Sequence, residues 1–259
     1  MDGPDDGPAA LGAAAQVFVA DLEELELDPA DAHHLRDVLR LRSGETVVAA
    51  DGAGRFRPCG VVRATHRDPS GPLRLEATGE PRTSARVGPA VTVGFVPVKG
   101  ARPEWAVQKL TEAGVDRIVL LGAARAVVRW EGARLAGALA RLGRVAREAA
   151  AQSRRAWLPA VEAAAGPAEL ARRLEPVPLV LAQAGGAAPS LEAPAVAVGP
   201  EGGWDPAEVA GYPTVGLGPL VLRSETAAVA AGLLLCSLRA GVVAPSGPGP
   251  PPPAGTGRG

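Results

Sequence analysis

The sequence predicts an α/β protein in which a small all-β unit precedes a domain built on a parallel sheet with helices on its faces. Three observations carry this expectation. From residue 16 to about residue 80 the apolar residues come in short runs between Gly, Asp and Pro, the pattern of a small β unit. After Pro81-Arg82-Thr83-Ser84, β-branched runs alternate with amphipathic stretches, as in a parallel sheet covered by helices. The two ends, residues 1–15 and 244–259, are rich in Gly, Pro and Ala without an apolar period, and both are expected to be disordered tails. The chain therefore divides into 1–15, 16–82, 83–243 and 244–259. With 259 residues, 47% of them hydrophobic, it is long enough to bury a core in each of the two middle parts.

In the first unit the strand candidates are Val17-Phe18-Val19, Thr46-Val47-Val48-Ala49, Cys59-Gly60-Val61-Val62 and Leu73-Arg74-Leu75. A helix over 31–41 interrupts them, stopping before Ser43-Gly44. In the second unit strands are expected at 90–96, 117–121, 179–182, 195–198 and 214–217, and helices at 103–113, 132–152, 168–174, 206–210 and 225–240. On a wheel of about 100° per residue the long helix gathers Leu135, Leu139, Leu142, Ala146 and Ala149 on one side. Arg134, Arg141, Arg144 and Arg147 fall on the other, either as a solvated face or as a phosphate-contacting one.

Composition removes several function classes. The formal charge of -1 by itself points neither to a nucleic acid nor to a membrane surface, but the charge is unevenly placed. Residues 1–80 hold 8 basic and 15 acidic side chains, whereas residues 99–155 hold 12 basic and 5 acidic ones, so the second stretch is the one suited to an anion. Cys59 and Cys236 stand far apart with no metal-ligand spacing, which argues against a disulfide framework or zinc ribbon and for a reducing, cytoplasmic setting. No apolar run approaches the ~18 residues of a membrane span, and the first ten residues are unlike a secretory signal. A metal is not expected, since adjacent His33 and His34 point apart and the only other histidine is His66. No Gly-x-Ser-x-Gly elbow or Cys-His pairing supports covalent catalysis.

Four segments stand out. His33-His34-Leu35-Arg36, with Arg40 four residues after Arg36, offers a basic ridge on one helix face. Lys99-Gly100-Ala101-Arg102-Pro103-Glu104-Trp105 passes from a strand to a helix opened by proline, where backbone N–H donors suit a phosphate. Val198-Gly199-Pro200-Glu201-Gly202-Gly203-Trp204-Asp205-Pro206-Ala207-Glu208 leaves a buried strand through three glycines for a helix capped by Asp205, with Glu208 completing a capping box. Its glycines let a flat ligand lie against the backbone. Gly216-Leu217-Gly218-Pro219-Leu220-Val221-Leu222-Arg223-Ser224-Glu225-Thr226-Ala227 again joins a strand to a helix. There Ser224 is the expected cap, and Arg223, flanked by leucines, is expected to act on a ligand or to pair with Glu225 or Glu201.

Taken together, these segments resemble the SPOUT class of S-adenosylmethionine-dependent RNA methyltransferases, and within it the bacterial family that methylates N3 of one uridine in 16S ribosomal RNA. The matching pieces, in order over about residues 17–240, are His33-His34-Leu35-Arg36 with Val38-Leu39-Arg40; Lys99-Gly100 with Glu104-Trp105, Gln108-Lys109 and Thr111-Glu112; Arg147-Glu148-Ala149-Ala150 with Gln152-Ser153; Gly199-Pro200-Glu201-Gly202-Gly203; and Leu217-Gly218-Pro219 with Leu222-Arg223-Ser224-Glu225-Thr226-Ala227. The chain departs from the family's habit at Ala101, where an acidic residue is frequent, at Leu220, where a basic one is, and at Ser224, where threonine is usual.

The resemblance implies a PUA-like β-barrel for RNA at the N-terminus, a trefoil-knotted SPOUT domain after it, and a homodimer acting on 16S rRNA of the 30S subunit. It also implies S-adenosylmethionine held by Leu181 and Ala182, by Gly199, Pro200, Glu201, Gly202 and Gly203, and by Leu217, Gly218, Leu222, Arg223, Ser224, Thr226 and Ala227. The RNA would meet His33, His34, Arg36, Arg40, Lys99, Arg102, Arg129, Arg147, Gln152 and Arg154. For the chemistry, Arg223 is the candidate to stabilise charge on the uracil oxygens, while Glu201 or Glu225 either takes the N3 proton or holds Arg223. The rival expectations are a catalytically silent RNA-binding protein of this fold, a SPOUT enzyme for another RNA base, and a small-molecule enzyme with a nucleotide pocket.

Overall fold

The computed structural model describes residues 7–63 and 73–244; His66 and the outermost parts of both expected tails lie outside the described residues. Within the first expected tail, however, residues 7–15 have definite structure: Pro8–Leu11 form a 3-10 turn, Pro8 is buried, and Ala15 already opens a strand.

The first unit is a five-stranded sheet of β1 (Ala15–Phe18), β2 (Thr46–Ala50), β3 (Arg55–Arg63), β4 (Leu73–Ala77) and β5 (Arg82–Thr83). The order is β1-β2-β3-β4, with β5 also pairing β3; β1 and β2 are parallel and the remaining pairs antiparallel. Four of the five residues of β2 are buried, because its two faces meet different cores. Val47 and Ala49 pack with Val17, Leu35, Cys59 and Leu75, whereas Val48 and Ala50 pack with Phe18, Phe56 and, from the second unit, Ala150 and Ala156. The second cluster joins the two units.

The expected helix over 31–41 is shorter than its pattern. An α-helix α1 (Pro29–His33), capped by Asp28 through the Ala30 N–H, passes into a π turn over His34–Val38. It stops there because Arg40 takes a left-handed φ of 55° while the Leu41 N–H returns to the Leu35 carbonyl, closing the helix end and sending Leu41 into the core. Arg36 and Arg40 therefore do not share a regular helical face. No glycine marks this end, and the Ser43-Gly44 signal read from the sequence lies several residues beyond it.

The second sheet has six parallel strands in the order β11-β9-β10-β6-β7-β8, namely β6 (Thr92–Phe95), β7 (Arg117–Leu121), β8 (Ala160–Ala164), β9 (Leu179–Ala187), β10 (Ala195–Val198) and β11 (Thr214–Val215). One face carries α2 (Arg102–Ala113), α3 (Gly132–Gln152) and α6 (Ser224–Arg239) over Val93, Phe95, Ile118, Val196 and Val198. The other carries α4 (Pro167–Leu174) and α5 (Pro206–Val209) over Val119, Leu121, Leu181 and Ala197. Alternate residues of the same strands thus feed two cores, which is why these strands read as continuous apolar runs. β8 was not expected: Ala-Val-Glu-Ala-Ala is a weak strand pattern, and the strand lies at the sheet edge with Glu162 beside Arg117 at 3.6 Å.

Candidate active site

All six strands point the same way, so their carboxyl ends form one edge, and the loops leaving β9, β10 and β11 meet there. β9 runs longer than expected, and its pairing with β11 slips. Thr214 pairs with Leu181 and the next residue, Val215, with Ala187, so residues 182–186 bulge away from the ladder. Gly186 permits the rejoining, since a Cβ there would meet the Val215 backbone at 2.5 Å. The bulge forms one wall of a cleft of about 230 Å³; the loops after β10 and β11 and the first turn of α6 form the others.

Of the residues expected to hold a cofactor, Ala182, Gly199, Pro200, Glu201, Gly203, Leu217, Gly218, Leu222, Ser224 and Ala227 line this cleft. Leu181 is buried beneath it, and Gly202, Arg223 and Thr226 are not among its walls. The glycine loop is held from both sides. Asp205 caps α5 through the Ala207 N–H at 3.1 Å, and Glu208 Oε2 accepts from the Asp205 N–H at 3.0 Å, the expected capping box. Glu208 Oε1 also accepts the Ala124 N–H at 2.8 Å, and Arg125 reaches the Gly202 carbonyl at 3.3 Å and Asp205 at 3.6 Å. Arg125 was not singled out from the sequence, because nothing in its local pattern shows a partner 77 residues away. Gly199 is required by a close approach: a Cβ would lie 2.8 Å from Trp204 Nε1. That indole nitrogen is buried with no hydrogen-bond partner among the described residues.

Two expectations for the last loop are corrected. Ser224 is not the cap: Arg223 occupies that position with extended backbone, and the buried Ser224 hydroxyl donates to the Val96 carbonyl at 3.3 Å. Nor does Arg223 pair with Glu201 or Glu225. Arg102 does, with Nη1 3.7 Å from Glu201 Oε1 and Nε 3.6 Å from Glu225 Oε1. α2 runs beside α6 and brings the guanidinium between the two carboxylates, so one cation links the glycine loop to α6. The Glu225 side chain is only 9% exposed, and its Oε2 is buried without a hydrogen-bond partner among the described residues. Arg223 is exposed and makes no ion pair among the described residues.

The expected RNA-facing residues separate into two groups. Lys99, Arg40, His34 and Gln152 are exposed, and Arg129 is exposed while bonding the Ala124 carbonyl at 3.1 Å. The others are engaged within the protein. Arg36 binds Asp37 through two nitrogens and holds that carboxyl below its usual range, with His33 on the same carboxylate. Arg147 spans the two units, donating to the Phe18 carbonyl at 2.6 Å and Asp31 at 3.1 Å and covering the Phe18 ring. Arg154 donates to the Ala13 carbonyl at 2.8 Å.

A larger cavity, about 680 Å³, lies elsewhere on the same sheet edge, beyond β7 and β8, with Leu121, Ala123, Trp130, Leu135, Ala164 and Arg173 among its walls. It lacks the glycine loops. We assign the site to the smaller cleft on backbone shape and charge rather than volume. Among the described residues no group of three His, Cys, Asp or Glu side chains is placed to hold a metal, and no helix is long and apolar enough to cross a membrane.

Comparison with known proteins gives the family of the chain. Residues 86–235 match the family model of the RNA methyltransferase domain and residues 27–68 that of the RNA methyltransferase PUA domain. The ribosomal RNA small subunit methyltransferase E of Mycobacterium bovis is 38% identical over 225 residues, covering 79% of this chain and 83% of that protein. A probable rRNA-methyltransferase from Porphyromonas gingivalis superposes with a TM-score of 0.71 at 25% identity, covering 88% of this chain and all of that one. The Neisseria gonorrhoeae ribosomal RNA small subunit methyltransferase E, solved bound to S-adenosyl methionine, gives 0.67 at 26% identity, covering 86% of this chain and 97% of that one. The two family models fall on the two units in turn, the relative at 38% identity spans most of both chains, and the chain belongs to the ribosomal RNA small subunit methyltransferase E family.

Proposed function

We propose that the protein transfers the methyl group of S-adenosylmethionine to N3 of one uridine in the 16S rRNA of the small ribosomal subunit. The observation that carries this reading is the cleft itself. Its walls fit the donor: Ala182, Leu217, Leu222 and Ala227 give an apolar bed, and Gly203 and Gly218 leave open space where any side chain would intrude. The orphaned Trp204 Nε1 supplies a donor at its wall. When bound, the cofactor supplies an electrophilic sulfonium methyl.

The protein's own residues do the rest. The bulge and glycine loop fix where that methyl points, and orientation alone removes much of the barrier. Glu201 lines the cleft and is the acceptor for the N3 proton; Arg102, anchored on buried Glu225, sets the position of its carboxylate. The uncommitted guanidinium of Arg223 at the start of α6 stabilises charge developing on the uracil oxygens. Exposed Lys99, Arg40 and Arg129 guide the RNA backbone.

A homodimer belongs to the same proposal. Leu220 and Val221 on the cleft rim are 77% and 98% exposed, and a second subunit covers them. So does a trefoil knot, supported by the return of α6 from the β11 edge to the face over β6 and β10. A cytoplasmic location follows from the substrate. The deciding experiment is transfer of labelled methyl to 30S subunits from a strain lacking the modification, with mapping of the product base. Label at N3 of a single 16S uridine is expected; label on another base, or none, refutes the assignment.

A further inference from the structure

We propose that the seam between the two units contains a phosphate-binding site, at the amino edge of the parallel sheet and thus opposite the donor cleft. A cavity of about 220 Å³ opens there, with Arg86, Arg154, Arg155, Arg239, Asp116 and Trp157 among its walls. Four guanidinium groups share one carboxylate, and that carboxylate is already committed. Asp116 Oδ2 accepts from Arg239 Nη1 and from the Val91 N–H at 2.8 Å.

The other three arginines form no close ion pair among the described residues, although Asp116 acts on Arg155 through space. Arg155 is half-buried and donates only to carbonyl oxygens, those of Thr111 at 2.7 Å and Val115 at 3.0 Å, and burial pushes its pKa down. Arg154 gives Nη2 to the Ala13 carbonyl but leaves Nη1 buried with no hydrogen-bond partner among the described residues, on a backbone held at a left-handed φ of 60°. Non-glycine residues seldom adopt that conformation, and a desolvated guanidinium N–H without an acceptor is costly. Arg86 lies 4.5 Å over the Trp157 ring, whose Nε1 is fixed by the Ser84 carbonyl at 3.0 Å. An anion with oxygens directed at Arg154 Nη1 and Arg86 satisfies both guanidinium groups at once. A phosphate group does so with charge-assisted bonds, whereas a cation is excluded by the surrounding charge. The phosphate belongs either to an RNA strand or to a free phosphate or nucleotide.

The test is calorimetric titration of the full-length protein with inorganic phosphate and, separately, with a short single-stranded RNA. It needs neither methyl donor nor 30S subunits, so its result is independent of the methyl-transfer assignment. Phosphate is expected to bind, and Arg154→Gln to weaken that binding about tenfold. Exposed Arg86→Ala, which keeps the fold, is expected to weaken it about threefold. If the RNA binds more tightly than phosphate, competes with it and loses affinity in both variants, the site holds a strand phosphate; if phosphate binds and the RNA does not compete, it holds a free anion. Equal phosphate and RNA affinities in wild type and both variants overturn the proposal. Asp2, Asp5 and Asp6 precede the cavity residue Gly7 in the chain. Phosphate binding seen only after these three are changed to Asn assigns the cavity to the protein's own carboxylates and also overturns it.

Discussion

Two hollows lie along one edge of the second sheet, and they differ in kind. The larger, near 680 Å³, is walled by side chains such as Trp130 and Leu135. The smaller, near 230 Å³, is walled in good part by backbone: residues 182–186 displaced by a register slip, a glycine loop and the start of a helix. The contrast teaches that volume is a poor guide to chemistry. A backbone wall is fixed by sheet pairing and caps and does not rearrange with rotamers, so it offers a ligand a preformed surface.

The sharpest way to break this comparison is Arg223→Ala. Methyl transfer to 30S subunits should fall by about 10²–10³-fold in kcat while donor binding, measured by calorimetry, is retained. Near-normal turnover removes Arg223 from the mechanism. Gly199→Ala comes next. Its Cβ displaces the Trp204 indole, a repacking of about 1–3 kcal/mol, and should weaken donor binding about tenfold. An unchanged donor affinity means the cleft is not the binding site.

Trp130→Ala examines the other hollow. Half-buried Trp130, with Arg141 5.9 Å from its ring, should contribute about 2 kcal/mol to stability, read from denaturant unfolding, with no change in donor affinity. A large loss of donor binding reverses our assignment of the two hollows. The smallest effect concerns Glu169 on the larger one. The Ala165 N–H, then Arg173, hold this carboxyl below its usual range. A depressed carboxylate contributes stability that is fully present above its unfolded pKa and is lost as pH falls through the folded one. In an NMR titration the Ala165 amide should keep its shift through the ordinary carboxylate range and move only under more acidic conditions, while the 199–203 amides stay unaffected. Movement of Ala165 within the ordinary range contradicts this.

Much of the second unit was legible because its signals are local. The bounds of α3 follow its wheel, and Ile118 to Leu121 of β7 and the whole of β10 are uninterrupted apolar runs. β8 was illegible because an alanine-rich edge strand takes its identity from its neighbour's hydrogen bonds. The end of the helix at His34–Val38 was illegible because arginine stands where glycine would have announced it. At the site, the order of motifs located the cleft, but the charge network was misassigned. Arg223 is only two residues from Glu225 in sequence, yet Arg102, more than a hundred residues distant, is its neighbour in space. The asymmetry of charge likewise indicated an anion-facing stretch without revealing that Arg147 is spent joining the units and that Arg154 gives one of its two terminal nitrogens to the Ala13 carbonyl.

Glu208 has one further consequence. By bonding its own helix start with one oxygen and the Ala124 N–H with the other, it staples, together with Arg125, two chain segments far apart in sequence. Such a staple withdraws motional freedom from the 199–203 segment before any ligand arrives, so less disorder remains to be surrendered on association, and affinity is gained without a single added contact.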